Sequence, residues 1–253
     1  MIDADGGASA LLRGLGLCKG LDEAGLAAMA AAAQPRRLAA GDFLLYQDQP
    51  AERFYVVTRG RLRLSQVTAE GHQVIMGFVG PGGAVGIIAV LGGIDFPVSA
   101  EAVEEAELLG WEGAAVAQLM LQHPRLAVNG MAVVAGRFRH VMDQLRELST
   151  ERVERRIARA LLRLANQAGR RTEQGILIDM PLSRQDLAEM TGTTLFTVSR
   201  TMKAWEGRGI VRSGRMEVCI CQPHALAVIA EDLATSEPTT STPDAHDPDV
   251  PRG

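Results

Sequence analysis

Between Pro124 and Leu148 the apolar residues Ala127, Met131, Val134, Phe138, Val141, Leu145 and Leu148 recur at steps of four, three, four, three, four and three. Only a helix brings such positions onto one face, and the strict register is that of a left-handed coiled coil, in which each knob needs a hole on a facing helix. Pro124 suits the first turn, where its missing N–H would have had no partner. Arg137, Arg139, Asp143, Arg146 and Glu147 fall off the seam. The spacing predicts a long helix whose partner is a second copy of the chain; burial of the same face within one chain is the alternative.

On either side of this helix the texture differs. Leu11 to Ala33 is Ala/Leu-rich with apolar recurrence at Leu21, Leu26 and Met29, which predicts short helices. From Leu38 glycines punctuate short apolar or alternating runs at Phe43–Tyr46, Phe54–Val57, Arg61–Gln66, Val74–Val79, Val98–Val103 and Glu107–Trp111. Such runs predict an antiparallel barrel or jelly roll, with Leu62 and Leu64 on its inner face. After the long helix, Glu151 to Ala165 predicts another, with Val153, Ile157, Leu161 and Leu164 on one side and five arginines elsewhere. Asn166 to Gly175 is turn-rich, and Ile176–Ile178 follows as a short strand. From residue 234 onward the chain is polar and Pro-rich, a composition that predicts a disordered tail.

Composition bounds the setting. The chain of 253 residues has room for two domains, and no run approaches the ~18 apolar residues of a membrane span. Met1 to Ala10 lacks the charge pattern of a secretory signal, so a cytoplasmic location without membrane contact is expected. Cys18, Cys219 and Cys221 are expected as reduced thiols. The net charge of −4 hides an asymmetry: residues 150 to 225 hold 13 Arg plus Lys against 8 Asp plus Glu, a balance of +5, leaving −9 for the rest. A basic C-terminal domain suits a polyanionic partner.

The segment Leu182 to Val211 is the most informative. Ser183 can N-cap a helix to about Met190, Gly192 can make a tight turn, and Thr194 can N-cap a second helix to about Arg208. Leu187, Ala188, Met190, Val198, Met202 and Trp205 would hold the pair at a fixed angle. Thr194, Leu195, Phe196, Thr197, Ser199, Arg200 and Lys203 lie on the other side of the second helix, a side that can enter a major groove. Met216 to Ile220 then completes a hairpin wing with Arg212 and Arg215 near its tip, where arginines suit phosphates.

Several motifs together resemble the Crp/Fnr family of transcription regulators: Gly41-Asp-Phe-Leu-Leu-Tyr-Gln-Asp-Gln-Pro50, Phe54-Tyr-Val-Val-Thr-Arg-Gly60, Gly80-Pro-Gly-Gly83, the heptad helix, and the helix-turn-helix ending Thr197-Val-Ser-Arg200. The resemblance covers the chain to about Leu233. It implies an α+β fold: a sensing cyclic-nucleotide-binding-type β jelly roll with N-terminal helices over 1–122, a dimerisation helix over 123–149, and a winged helix-turn-helix over 150–233. The implied partners are double-stranded DNA at a pseudo-palindromic site, a second copy of the chain, and RNA polymerase. The family's reading helix usually carries Glu-Thr-Val/Ile-Ser/Gly-Arg. Here Ser199 and Arg200 match, and Phe196 stands where the Glu would be. Arg200 can pair with a guanine, whereas Phe196 cannot accept from a cytosine amine. Ser183 joins this DNA-facing set.

The resemblance also bears on the signal. Cyclic-nucleotide binders of the family hold phosphate with a Gly-Glu segment and a later Arg-Ser/Thr pair. Aligning Gly86 to that Gly puts Ile87 at the Glu and Pro97-Val98 at the pair, so the expected pocket of Ile87, Ile88, Val90, Leu91, Phe96 and Val98 offers no phosphate partner, and cyclic AMP is not expected. A cluster ligated by four thiolates exceeds three cysteines, so no iron–sulfur cluster is expected. Phe96-Pro-Val-Ser-Ala-Glu-Ala102 and Leu187 to Arg200 resemble the nitrogen-oxide-responsive (Dnr/NnrR-type) regulators, which implies nitric oxide or another gas sensed through haem. His72 and Met76 are the candidate axial ligands, with Cys18, His123 and His140 behind them. A regulator that is effector-independent or responds through Cys219 and Cys221 remains open, as does an interaction module that does not bind DNA. No nucleophile elbow, phosphate loop or paired metal-ligand motif points to an enzyme.

Overall fold

Strands in the first half form where apolar and polar residues alternate, and Leu62 and Leu64 do turn into the core while Arg63 faces out. In the computed structural model, which describes residues 12–232, a 3-10 turn at Gly16–Cys18 and helix α1 (Glu23–Ala32) lead into eight strands. These are β1 (Gln34–Leu38), β2 (Phe43–Leu45), β3 (Arg53–Arg59), β4 (Leu62–Val67), β5 (Gln73–Val79), β6 (Ala84–Val85), β7 (Ser99–Ala102) and β8 (Ala106–Glu112). They pair antiparallel as two four-stranded sheets, β1-β8-β3-β6 and β2-β7-β4-β5, with Val57, Leu62, Phe96, Ala100 and Leu108 packed between them. The segment from 234 expected to be disordered, and the first eleven residues, lie outside the described residues.

A short helix, α2 (Ile87–Gly92), interrupts the strands between β6 and β7. Gly86 opens it at φ +81°, and a Cβ there would stand 2.9 Å from the Phe96 ring, so glycine answers both a left-handed backbone and a close approach. Helices α3 (Gly113–Gln122) and α4 (Pro124–Thr150) follow. A second core joins the outside of the first sheet to α1, α3 and α4: Phe54 stacks on Trp111 at 5.3 Å, and the indole N–H of Trp111 donates to the Met29 carbonyl at 2.9 Å. Asn129 on α4 is buried and donates to the Leu17 and Lys19 carbonyls at 2.8 and 2.9 Å, which anchors the long helix to the N-terminal 3-10 turn.

Beyond Thr150 the chain turns at Glu151 into α5 (Val153–Ala168), then β9 (Gly169–Thr172), β10 (Gly175–Ile178), α6 (Arg184–Thr191), α7 (Leu195–Gly207), β11 (Val211–Ser213), β12 (Val218–Ile220) and α8 (Pro223–Glu231). Strands order as β11-β12-β10-β9. Ile157, Leu161 and Leu164 pack against Leu187, Val198, Met202, Trp205 and Leu226. Ile75 and Phe78 of β5 belong to this same core, so the barrel and the C-terminal domain share apolar packing.

Two elements go beyond the expectation and one differs from it. Gln34-Pro-Arg-Arg-Leu38, with four of five residues exposed, forms edge strand β1 along β8. The apolar run after Gly86 is helical, and part of the turn-rich stretch before Gly175 is strand β9, paired to β10 through Arg170↔Leu177 and Arg171↔Ile176.

Candidate nucleic-acid interface and effector cavity

The two helices of the turn are set by local hydrogen bonds. At the start of α6 the Ser183 hydroxyl accepts from the Asp186 N–H at 3.0 Å while the Asp186 carboxylate accepts from the Ser183 N–H at 2.8 Å, a complete capping box. Ser183 is thus engaged inside the domain. Gly192 closes α6 at φ +60°, a left-handed cap. Thr194 caps α7 by accepting from the Thr197 N–H at 3.2 Å, and the two threonine hydroxyls lie 3.0 Å apart. Arg156 of α5 donates to the Thr191 and Gly192 carbonyls at 3.0 and 3.4 Å, and the Trp205 indole donates to Glu154 at 2.9 Å.

Val198, Met202 and Trp205 face the core, which leaves Leu195, Phe196, Arg200 and Lys203 exposed, with Thr197 and Ser199 half-buried between them. Phe196 is 74% exposed, an unusual state for a phenyl ring on a helix that already has a buried face. Arg212 and Arg215 are exposed on the wing. A bridge that the sequence did not announce fixes the wing to both helices: Arg184 donates to Ser213 at 3.0 Å and lies 3.4 Å from Glu206, which also accepts from the Ser213 hydroxyl.

The reading domain is also tied to the barrel. Arg63 of β4 donates one Nη to Asp186 at 3.0 Å and the other to Glu101 of β7 at 2.5 Å. At the opposite corner Glu147 takes both oxygens to Arg163 at 2.8 Å, and buried Glu151 lies 3.0 Å from Arg159, 3.6 Å from Arg146 and 3.9 Å from Arg155.

Along α4 the heptad stripe is open: Met131, Phe138, Val141, Leu145 and Leu148 are exposed, Met131 by 73%, and Ala127 and Val134 are half-buried. A cavity of about 250 Å³ lies between α4 and the barrel. Ile87, Ile88, Phe96 and Val98 line it; Val90 and Leu91 point to the other side of α2, toward Gly113 and Gly130. Met76, Gln144, Arg137 and His140 complete the wall. Burial lowers the His140 pKa, with Arg163 and Arg137 adding to the effect, so its ring is held neutral.

Of the candidate haem ligands, His72 sits exposed in the β4–β5 turn, His123 stands beside Asp22 at the α3–α4 junction, and burial pushes the Cys18 thiol up to about 11. Only Met76 and His140 reach the cavity, a donor pair of the right type for haem iron. Space is against them: about 250 Å³ falls below the roughly 300–1,000 Å³ that holds drug-sized ligands, and a porphyrin plane is bulkier than most of those. A haem would require this cavity to widen. The three thiols are divided, Cys18 in the core between the barrel's outer face and the N-terminal helices, Cys219 on wing strand β12, and Cys221 just beyond that strand. Among the described residues no three His, Cys, Asp or Glu side chains gather as a metal site.

A jelly roll joined by a long helix to a winged helix-turn-helix is the architecture of a DNA-binding regulator. Residues 35–123 match the cyclic nucleotide-binding domain, and residues 155–241 match the Crp-like helix-turn-helix domain. The chain is 31% identical over 201 residues to the cyclic AMP receptor protein of Thermus thermophilus, covering 79% of this chain and 90% of that one. It is 30% identical over 184 residues to the nitrogen fixation regulation protein FixK of Azorhizobium caulinodans, covering 72% and 73%. The solved structure of FixK2 from Bradyrhizobium japonicum superposes with a TM-score of 0.69 at 24% identity, over 78% of this chain and 96% of that one, and shares the fold. The chain belongs to the Crp/Fnr family of DNA-binding transcription regulators.

Proposed function

We propose that the chain works as a homodimer through α4, reads a pseudo-palindromic site with the exposed face of α7, and is switched by a small molecule other than a cyclic nucleotide. One observation carries the reading: Arg200, Lys203 and Phe196 are presented outward from a helix whose other face is buried. The unpartnered stripe on α4 supports the dimer, because five large apolar side chains in heptad register are matched by a second copy of themselves. In this reading residues up to 122 sense, 123–149 dimerise and 150–233 read DNA, in the cytoplasm, with RNA polymerase as the downstream partner. The absence of any acid or base at Ile87, Pro97 and Val98 supports a signal that is not cyclic AMP.

Selection of bound duplexes from a random pool tests the proposal. The expected outcome is a two-fold-related motif with half-site centres about 34 Å apart; enrichment of no motif, or of a single unpaired half-site, would sink it. Nitric oxide sensing through haem is a second reading, favoured by Met76 and His140 and opposed by the cavity's volume. An absorption spectrum of the purified protein with added haemin tests it: a Soret shift lost in Met76→Leu and His140→Ala supports it, and an unchanged haemin spectrum refutes it.

A further inference from the structure

Arg137 is the odd arginine of the molecule's centre. Nearby Arg146, Arg155, Arg159 and Arg163 each lie within ion-pair reach of Glu147 or Glu151. Arg137 instead lines the cavity under α4, and its one hydrogen bond among the described residues is a 3.4 Å contact to the Ala84 carbonyl. Burial lowers its pKa with no carboxylate opposing the effect. A half-buried guanidinium with no counter-charge costs free energy that a paired one does not, and a planar cation of this kind is completed by a planar anion accepting two parallel N–H bonds.

The rest of the wall narrows the anion. Ile88, Phe96, Pro97 and Val98 offer apolar contact, and Gln144 adds a neutral amide. Arg137 is the one permanently charged side chain among the lining residues, which matches a ligand with a single anionic group. A cavity of about 250 Å³ lies below the roughly 300–1,000 Å³ of sites that hold drug-sized ligands, which points to a compact ligand.

We propose that the cavity binds a compact organic monocarboxylate, its carboxylate on Arg137 and its aromatic or short aliphatic body against Ile88, Phe96 and Val98. The proposal rests on the reading of this cavity as the effector site. Benzoate, phenylacetate and hexanoate have the required size, charge and apolar body. The ligand would bridge the barrel to α4.

Calorimetry on the full chain with these three acids, each beside its uncharged amide, is the test. At least one acid is expected to bind tenfold or more tighter than its amide, Arg137→Gln to erase that preference, and Arg137→Lys to retain part of it. Amides binding as tightly as acids, no acid binding at all, or an undiminished preference in Arg137→Gln would overturn the proposal. Should Arg137→Gln not fold, the acid-to-amide ratio on the unsubstituted chain and the Lys variant decide. Val98→Trp, which fills the cavity, separates the two layers of inference. If it abolishes binding of amides that Arg137→Gln leaves untouched, the cavity stands and the carboxylate falls; if an acid still binds Val98→Trp as tightly, the cavity reading falls with it.

Discussion

Removing the Arg63 guanidinium should loosen the reading domain from the barrel. Arg63 stands between two carboxylates, Asp186 at 3.0 Å and Glu101 at 2.5 Å, with side-chain exposures of 23%, 10% and 20%. In Arg63→Met Glu101 loses its hydrogen-bond partner, Asp186 keeps only its bonds from Ser183, and no counter-charge is left between the two acids at the domain junction. Removing one partner of a buried ion pair costs about 3–5 kcal/mol, and the residual exposure of all three groups argues for the low end, about 3 kcal/mol. For a chain of this size 1 kcal/mol moves Tm by about 2–4 °C, so a fall of about 6–12 °C is expected by scanning calorimetry. Adding Glu101→Gln should recover at least about 1 kcal/mol by removing one of the two like charges. Asp186 is unsuitable as the second site, because it also caps α6. Amide exchange should quicken in α6 and β5 and stay unchanged in β9 and β10. A Tm within about 2 °C of the unsubstituted chain, or faster exchange spread evenly over the C-terminal domain, would refute the argument that this bridge holds the domains together.

Phe138→Glu places like charges against each other on the α4 stripe, and light scattering should then record a monomer; an unchanged dimer mass counts against the seam. Arg200→Ala should weaken a selected site by about 1–3 kcal/mol and relax preference at one guanine, whereas Arg215→Ala should weaken all sequences alike and lower the salt slope by about one. Calorimetry with cyclic AMP should register no binding, and a micromolar, phosphate-dependent signal would overturn the assignment of Ile87, Pro97 and Val98. Buried Cys18, with its thiol pushed up to about 11, should resist iodoacetamide at pH 8 in the folded chain while half-buried Cys221 reacts, as peptide mapping of the labelled protein can read.

What could be read from the sequence is what short-range chemistry encodes. Ser183, Gly192 and Thr194 specify two helices and their turn through bonds spanning three or four residues, so the reading helix and its buried face were legible. Gln34-Pro-Arg-Arg-Leu38 was not, because an exposed edge strand needs neither alternation nor every N–H, and its extended shape comes from β8. The Arg63–Asp186 bridge joins residues 123 positions apart and leaves no local trace. Arg137 was placed among residues off the seam, and that was true but incomplete. A helix with one face toward a partner and one toward its own barrel still has positions between the two, and only the fold reveals that this one overhangs a cavity. Ile88 and Val90 lie two apart in one apolar run; their division between cavity and core follows from α2 being a helix, which the run alone did not announce.

The junction of α4 with α5 has a mechanical consequence. Thirteen residues separate Arg137 from Thr150, about 20 Å at 1.5 Å of rise per residue, so a tilt of about 5° at the cavity swings the far end by about 1.7 Å. Displacements of roughly 1–2 Å are the scale on which interface helices shift in allosteric proteins. A pliant corner would dissipate such a swing, but Glu147 and Glu151, gripped by Arg155, Arg159 and Arg163, weld α5 to the end of the rod. In the proposed reading a ligand in the cavity would tilt the long helix about Arg137, and the α7 reading surface, held to α5 through Trp205 and Glu154, would move with its far end.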